Sequence, residues 1–431
     1  MFPTTSKTVS MNNDKKFSQL LQVKKVRKRL SSKDHRNEGQ DKFREQNSSD
    51  YFMLREYFLL FGLLRLIGIN VEENAKNKTN KDSQDHKTRS IKERIVHFFE
   101  NCLKYFVFGT MYSRNLFAVV PIMFLKDIKV DLIRVFQSLL FTTFYTCIYR
   151  KRHTMLRISK DIGYIYKQLP NCICKEKKCF FTGVLVFEIT ALVCRLVLFY
   201  GMPSNRDNYQ NRVFELCQET GAPPMVTAKL LFVVESLSFI IAIIALSVFV
   251  TYYSLTCSFV RDVFKCLLVQ MHRFESSNDF KMLHSTYECI MKKLNYMDSE
   301  FSFLAFVTIL INTSSLFWDV YRLAFYKNTA SGYVLYTLSG IFFLVLLLQL
   351  MISGCASNEL ANEVRVLIQC LPRKSVENEQ NINFFKKTLL QDNGLTLWKI
   401  YVMDRSLVIS LFGTLLSYGI LLGTLGKTNY D

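Results

Sequence analysis

The last apolar segment of the chain carries hydroxyl groups at positions that share one face of a helix. At about 100° per residue, seven positions of this segment fall within a face roughly 80° wide. Six of the seven are Ser or Thr; the set is Ser406, Ser410, Thr414, Ser417, Leu421, Thr424 and Thr428. A continuous hydroxyl stripe can replace part of the hydration shell of an ion, so the pattern favours a pore or transport pathway. The alternative is that each hydroxyl bonds to a carbonyl of its own helix.

Three glycines lie on the opposite face of the same predicted helix. Gly419, Gly423 and Gly426 group together when the segment is drawn as a helical wheel. Small residues at such spacing let two membrane helices approach closely. We therefore expect this face to pack against neighbouring helices while the hydroxyl face meets water.

The distribution of charge indicates that the chain crosses a membrane several times. Of its 431 residues, 49% are hydrophobic, and the charged residues cluster and leave long gaps between them. Uncharged runs separate Glu235 from Arg261, Lys327 from Glu359, and Arg405 from Lys427. Each run exceeds the roughly 20 residues that a helix needs to cross about 30 Å of hydrocarbon. The sequence therefore predicts an all-α, polytopic membrane protein.

Seven segments are predicted to span the membrane. They are Val96 to Leu125, Val130 to Tyr149, Cys179 to Met202, Val226 to Thr256, Phe301 to Tyr326, Gly332 to Ser357 and Ile400 to Leu425. An eighth apolar segment, Tyr51 to Ile69, contains Arg55, Glu56 and Arg65, which favours a helix at the membrane interface.

Basic residues fix the predicted orientation. The loop after the second span holds nine Lys or Arg, and the Phe259 to Glu300 and Asn358 to Lys399 loops hold six each. Because cytoplasmic loops are rich in Lys and Arg, the N-terminus is predicted inside and the C-terminus outside. The net charge of +19 then reflects these loops rather than binding to nucleic acid.

These assignments divide the chain into five parts. They are a disordered basic cytoplasmic tail (1–50), an interfacial helix with a polar linker (51–95), the first six spans (96–357), cytoplasmic anchor-type helices (358–398), and the last span with a short external tail (399–431). The cytoplasmic segments around Val260 and Ser285 show apolar residues at helical spacing. We expect them to be helical continuations of the neighbouring spans.

No motif for catalysis or metal binding stands out. The sequence contains no Walker loop, H-E-x-x-H or nucleophile elbow. Cys172, Cys174 and Cys179 lack a nearby fourth ligand, which favours reduced or palmitoylated thiols over a metal site. We therefore predict a non-enzyme that needs no cofactor. A G-protein-coupled receptor, with its external N-terminus, and a secondary transporter, with internal repeats, are the alternative classes.

The last span resembles that of insect gustatory receptors, which share a superfamily with insect odorant receptors. That family ends in the pattern T-Y-h-h-h-h-h-Q-F, where h is apolar. Here Ser417-Tyr418, the five residues GILLG, and Thr424-Leu425 occupy those places, with only Tyr418 identical. The apolar segment before the first span and the sequence SGCASNELANEVRVLIQCL after the sixth are also similar to the family.

The resemblance implies a tetrameric, ligand-gated, non-selective cation channel of the plasma membrane. The seventh helix of each subunit, from the same or a related chain, would line a central pore. By position, Leu425 would form the hydrophobic constriction and Thr424 a polar ring beside it. The predicted pore and gate also include four further residues of this helix: Thr414, Ser417, Leu421 and Tyr418, the last being identical to the family pattern.

A ligand pocket requires polar groups in the outer half of the helices. The predicted topology places eight such residues there: Arg195, Glu235, Trp318, Asp319, Tyr321, Arg322, Tyr333 and Tyr336. Ionisable residues within a membrane indicate function by default. The alternative is structural pairing, for instance between Asp319 and Arg322 on one helix. Aromatic and acidic groups together suit a small polar or cationic tastant.

Overall fold

The computed structural model of the chain describes residues 57–71, 91–124, 128–168, 178–201, 224–272, 277–325, 328–369 and 394–426. Within these ranges the chain forms one short helix, seven long helices and one antiparallel hairpin. They are α1 (Tyr57–Leu66), α2 (Ile91–Phe124), α3 (Ile128–Gln168), α4 (Lys178–Gly201), α5 (Pro224–His272), α6 (Ser277–Phe325), α7 (Ala330–Gln369), β1 (Thr396–Leu397), β2 (Tyr401–Val402) and α8 (Arg405–Gly426). The predicted tail at 1–50 and most of the predicted anchor helices at 358–398 lie outside the described residues.

Four of the described helices are long and apolar enough to cross a membrane. The qualifying stretches are Phe181–Leu198, Lys229–Met271, Ser285–Phe325 and Ala330–Leu367, in α4 to α7. Together they make the chain a helical, multi-pass membrane protein. Among the other predicted spans, α2 contains Lys104 and Arg114, and the described apolar stretch of α8 is shorter than a bilayer crossing. The total of seven spans and the side on which each terminus lies stay predictions.

Two of the helices are much longer than the membrane is thick. Both α5 and α6 contain 49 residues, which corresponds to about 70 Å at 1.5 Å per residue. The hydrocarbon layer accounts for about 30 Å of that length. The segments around Val260 and Ser285 are therefore continuations of the spans into water, as the apolar spacing predicted.

The core of the bundle forms around α5. Tyr252, Phe249 and Leu246 on this helix are completely buried. The ring of Tyr252 lies 5.9 Å from that of Phe301 on α6, and its hydroxyl donates a hydrogen bond of 2.8 Å to the carbonyl of Met155 on α3. The central helix thus uses aromatic rings to fill space and pairs the buried Tyr252 hydroxyl with a carbonyl, as an apolar core favours.

The short helix α1 packs one face against this core. Tyr57 and Leu64 are buried, and the Tyr57 hydroxyl lies 3.1 Å from that of Thr256 on α5. On the other face, Phe58 and Leu66 are exposed by 73% and 72%. An exposed apolar face on so short a helix fits the expected position at the membrane surface, which stays a prediction.

The sequence assigned the wrong structure to the start of the seventh span. A helix was predicted from Ile400, but α8 begins only at Arg405, and Thr396–Leu397 and Tyr401–Val402 form an antiparallel hairpin. The turn between the strands places Trp398 (φ 49°) and Lys399 (φ 57°) in the left-handed region. This conformation costs energy for residues other than Gly, so tertiary contacts must stabilise it.

Side chains of the bundle supply those contacts. The Asn358 amide donates to the carbonyls of Leu395 and Met403, both at 2.9 Å, and accepts from the Leu395 N–H at 2.7 Å. The Asp298 carboxylate accepts hydrogen bonds from the Thr396 N–H and hydroxyl. The hairpin is thereby attached to α6 and α7.

The helix α8 begins directly after the hairpin with a capping residue. The Asp404 carboxylate accepts a hydrogen bond of 2.8 Å from the Leu407 N–H, which satisfies one of the unpaired donors of the first turn. Arg405 forms an ion pair with Glu359 of α7. The position where α8 starts is therefore fixed by α7 and the hairpin.

We predict that Asn358→Leu lowers the thermal stability of the purified protein more than Asn358→Asp. Leu removes all three hydrogen bonds, and each buried backbone group left without a partner costs about 1–3 kcal/mol. Asp keeps the acceptor for the Leu395 N–H and serves as the matched control. Equal melting temperatures for the two variants, measured by tryptophan fluorescence in detergent, would contradict this role of Asn358.

Candidate functional site

Three of the predicted pocket residues come together between the helices. The Arg195 guanidinium on α4 is attracted electrostatically to the Asp319 carboxylate on α6, and Tyr336 on α7 lies in its neighbourhood. The same guanidinium lies 4.6 Å from the centre of the Phe239 ring and 5.3 Å from that of Phe343. Four helices, α4 to α7, thus each contribute to one polar centre in an apolar bundle.

Asp319 is the most enclosed member of this centre. Its side chain is only 2% exposed, and its carboxylate accepts a hydrogen bond from the Ser339 hydroxyl of α7. Gly340 lies opposite, where an added Cβ would come within 4.0 Å of the Asp319 Cβ. This distance is an ordinary van der Waals contact, so α6 and α7 pack directly against each other at this level.

The guanidinium of Arg195 retains capacity for another partner. Its Nη1 atom is buried and makes no hydrogen bond to any of the described residues. A buried donor without a partner is costly, and the two aromatic rings provide a favourable face but no acceptor atom. A ligand that offers an oxygen or nitrogen acceptor to this atom would satisfy it.

Three other predicted pocket residues stack along α6. The rings of Trp318 and Tyr321 lie 6.0 Å apart, and the Arg322 guanidinium lies 4.9 Å above Trp318. Asp319, on the same helix, has its nearest opposite charge across the interface in Arg195. The helix α6 therefore carries a stack of two aromatic rings and one guanidinium, and the residues of this stack flank Asp319 in the sequence.

The two remaining predicted residues are exposed in the single chain. Glu235 on α5 is exposed and is attracted to Arg114 of α2. Tyr333, near the start of α7, is 45% exposed. Neither Glu235 nor Tyr333 is placed at the Arg195–Asp319 centre by these contacts. The binding role of all eight residues stays a prediction.

One buried acid was missed by the sequence analysis. Glu188 on α4 is 1% exposed, and its carboxylate faces the hydroxyls of Ser247 and Thr251 on α5 without completing a hydrogen bond of normal geometry. It lies two turns before Arg195 on the same helix. An acid within a predicted span is itself a functional signal, but the search for pocket residues considered only the outer half of each helix.

The second predicted site is the hydroxyl stripe of α8. Ser410, Thr414 and Ser417 are all exposed in the single chain, as a water-facing stripe requires. Thr414 donates to the Ser410 carbonyl and Ser417 to the Gly413 carbonyl, each at 2.8 Å. The hydroxyls are therefore both exposed along one stripe and, for Thr414 and Ser417, bonded to carbonyls of their own helix. A hydroxyl bonded in this way still directs its oxygen lone pairs outward as an acceptor.

The structure does not describe the side chains at the far end of the predicted pore. Tyr418, Leu421, Thr424 and Leu425 lie outside the side chains that the structure describes, although α8 continues as a helix to Gly426. The roles of Leu425 as gate and Thr424 as polar ring stay predictions.

Of the three glycines expected to pack against neighbouring helices, the structure describes the surroundings of Gly419, and it shows no such packing there. A Cβ added at Gly419 would meet nothing within 4 Å. The helix instead packs against the core through Leu407, Val408 and Leu411. Gly419 thus faces open space in the single chain.

Solved structures provide the comparison that assigns the fold. The insect olfactory receptor OR5 from Machilis hrabei matches this chain with a TM-score of 0.57 and 12% sequence identity, covering 86% of this chain and 99% of that one. The chain has the fold of an insect olfactory receptor. The same receptor in complex with eugenol also matches, with a TM-score of 0.57 and 12% identity, over 87% of this chain and 100% of that one.

The sequence itself gives no comparable match. No protein-family model matches it. No curated protein matches it either. The shared fold agrees with the resemblance to insect gustatory and odorant receptors, and at 12% identity it shows the fold alone. These neighbours are receptors rather than enzymes, which agrees with the prediction of a non-enzyme.

We predict that removing one charge of the Arg195–Asp319 pair destabilises the protein more than removing both. Removing one of the two buried charges leaves the other without its attraction and lowers the free energy of unfolding, whereas replacing both by apolar groups is often neutral. The test compares Asp319→Leu, Arg195→Met and the double variant by thermal unfolding in detergent. Additive losses of stability would show that the two groups do not act as a pair.

Proposed function

We propose that the chain is a gustatory-type chemosensory receptor that acts as a ligand-gated, non-selective cation channel. Seven helices would span the plasma membrane, with the N-terminus inside and the C-terminus outside. Four copies, or copies together with related subunits, would surround a central pore lined by α8. A small tastant bound among the outer halves of α4 to α7 would open it.

The exposure of α8 supports the assembly most directly. Ile409, Leu416 and Ile420 are exposed by 72%, 68% and 60%, on a helix that touches its own chain along one face only. A transmembrane helix gains little by remaining separate from its neighbours, and its hydroxyl stripe would be unfavourable against lipid. Symmetric assembly of several copies around α8 would cover the apolar side chains and turn the stripe towards shared water.

The Arg195–Asp319 centre supports binding of a small molecule. It combines aromatic rings, a buried acid and a guanidinium with an unused donor at the junction of four helices. Ligand sites in helical bundles are mainly apolar with a few directed polar groups. The receptor of known structure that shares the fold is itself described in complex with eugenol, a small aromatic molecule.

Opening requires that the ligand favour one state of the bundle. Moving a population from 1:99 to 99:1 needs about 10⁴-fold tighter binding to the favoured state. The close approach of α6 and α7 at Gly340 and the Ser339–Asp319 hydrogen bond are contacts that such a ligand would alter. A pocket at this interface can therefore change how the helices pack.

We predict that Leu425→Ser raises the resting leak of cations. The purified chain is reconstituted in liposomes, and cation flux is measured without ligand and with a panel of small tastants. A hydrophobic ring closes a pore by excluding water, so a polar replacement should let it wet. Leu416→Ser, on the opposite side of α8, is the matched control and should leave the leak unchanged.

Two outcomes of this experiment would count against the proposal. Equal leak in the two variants would remove Leu425 from the gate. Absence of any ligand-dependent flux in the unmodified protein, across the panel and with correctly assembled tetramers, would contradict the channel function.

We predict that a tag at the N-terminus is accessible only after cells are permeabilised. The alternative of a G-protein-coupled receptor requires an external N-terminus, and the basic loops oppose it. Antibody binding to an N-terminal tag is measured on intact and permeabilised cells, with a C-terminal tag as the opposite control. Staining of the N-terminal tag on intact cells would reverse the proposed topology.

A further inference from the structure

We propose that the hairpin before α8 inserts its tip into the lipid headgroup region on the side of the membrane where α8 begins. The tip comprises Trp398, Lys399, Ile400, Tyr401 and Val402. The inference rests on the proposed placement of the helix bundle in a membrane, but it is independent of channel activity. The occupant of this surface is the bilayer itself.

The tip exposes an unusual amount of apolar surface. Trp398, Ile400, Tyr401 and Val402 are exposed by 50%, 61%, 58% and 55%, and Lys399 between them is also exposed. Adjacent large apolar side chains on a turn are unfavourable in water, and such patches mark contacts with proteins or membranes. A partner for this surface is therefore required.

The attachment of the tip fixes its depth. The Trp398 ring lies 5.5 Å from Phe303 and 5.2 Å from Phe306 on α6, and the backbone N–H of Trp398 donates to the Ser302 carbonyl at 3.1 Å. Glu300 is the last charged residue of α6 before Asp319. The tip thus meets α6 within two turns of the point where the uncharged stretch begins.

The neighbouring helix gives the same level. On α7 the uncharged stretch ends at Glu359, which pairs with Arg405 at the start of α8. Asn358, the residue before Glu359, holds both ends of the hairpin. Two helices therefore place the tip at the boundary between charged and uncharged side chains, where the headgroups of the bilayer lie.

The composition of the tip matches that boundary. Trp and Tyr are enriched at membrane–water interfaces because their rings are apolar and carry one polar group. A Lys can lie along the apolar surface and direct its ammonium to lipid phosphates.

The fold gives this contact a mechanical role. Asn358 connects the hairpin to α7, and Met403, at its end, is completely buried next to Gly354 and the Tyr253 hydroxyl. The first residue of α8 follows two positions later. A tip held in the headgroups would therefore fix the start of α8 relative to the membrane surface.

The chain allows a direct test because it contains only two tryptophans. In the Trp318→Phe variant, Trp398 is the sole tryptophan of the full chain. The variant is reconstituted in vesicles of phosphatidylcholine and phosphatidylglycerol that carry bromine either near the headgroups or deep in the acyl chains. We expect blue-shifted emission and loss of fluorescence, with the shallow bromines quenching more strongly than the deep ones.

Comparison variants define the result that would overturn the proposal. Trp398→Phe, in which Trp318 is the sole tryptophan, shows the quenching that does not depend on the hairpin. Ile400→Asp in the Trp318→Phe background should reduce quenching, whereas Val366→Asp, an exposed site on α7 beyond Glu359, should not. Unquenched Trp398 would overturn the proposal: emission at the wavelength found in water would show a solvated tip, and blue-shifted emission would show a tip covered by protein.

The failure of this proposal can be separated from failure of the channel. Quenching requires no ligand, no flux and no particular oligomer. A protein that passes no cations but shows quenched Trp398 retains the membrane contact and loses the channel function. A functional channel with an unquenched Trp398 gives the reverse result.

Discussion

A bilayer offers no hydrogen bonds to the polar groups of a protein, and this constraint governs every part of the structure. Backbone groups must pair within the chain, so the membrane segments are helical. Buried hydroxyls follow the same requirement: Tyr252 bonds to the Met155 carbonyl, and Ser339 bonds to Asp319. The hairpin is the described segment that departs from helix, and it lies where charged side chains resume and where Asn358 and Asp298 supply its missing partners.

Some described groups do not meet this requirement. The Arg195 Nη1 atom and the Glu188 carboxylate are buried without a hydrogen bond among the described residues. Both lie on α4, on the side that faces α5 and, for Arg195, also α6 and α7. Unsatisfied groups of this kind are costly for folding alone, and the Arg195 Nη1 atom is the one on which the proposed ligand site rests.

The last helix shows the constraint at the level of assembly. A single chain leaves the hydroxyl stripe and the apolar residues Ile409, Leu416 and Ile420 of α8 exposed together. Neither water nor lipid suits both sets. Several copies around one axis would separate the two environments, with lipid or protein against the apolar side chains and water along the stripe. The proposed channel thus follows from a helix that its own chain does not cover.

The helical membrane character, the approximate positions of the long helices and the hydroxyl stripe follow from the sequence alone, because they depend on the local spacing of apolar and polar residues. The sequence missed the hairpin because Ile400, Tyr401 and Val402 continue an apolar run that suits a helix equally well. A hairpin forms there because the hydrogen bonds that hold the turn come from Asp298 and Asn358, about 98 and 37 residues away in sequence. The charge that acts on Asp319 is that of Arg195, on another helix. The sequence could not show this, because the packing of the whole bundle sets which helices are neighbours.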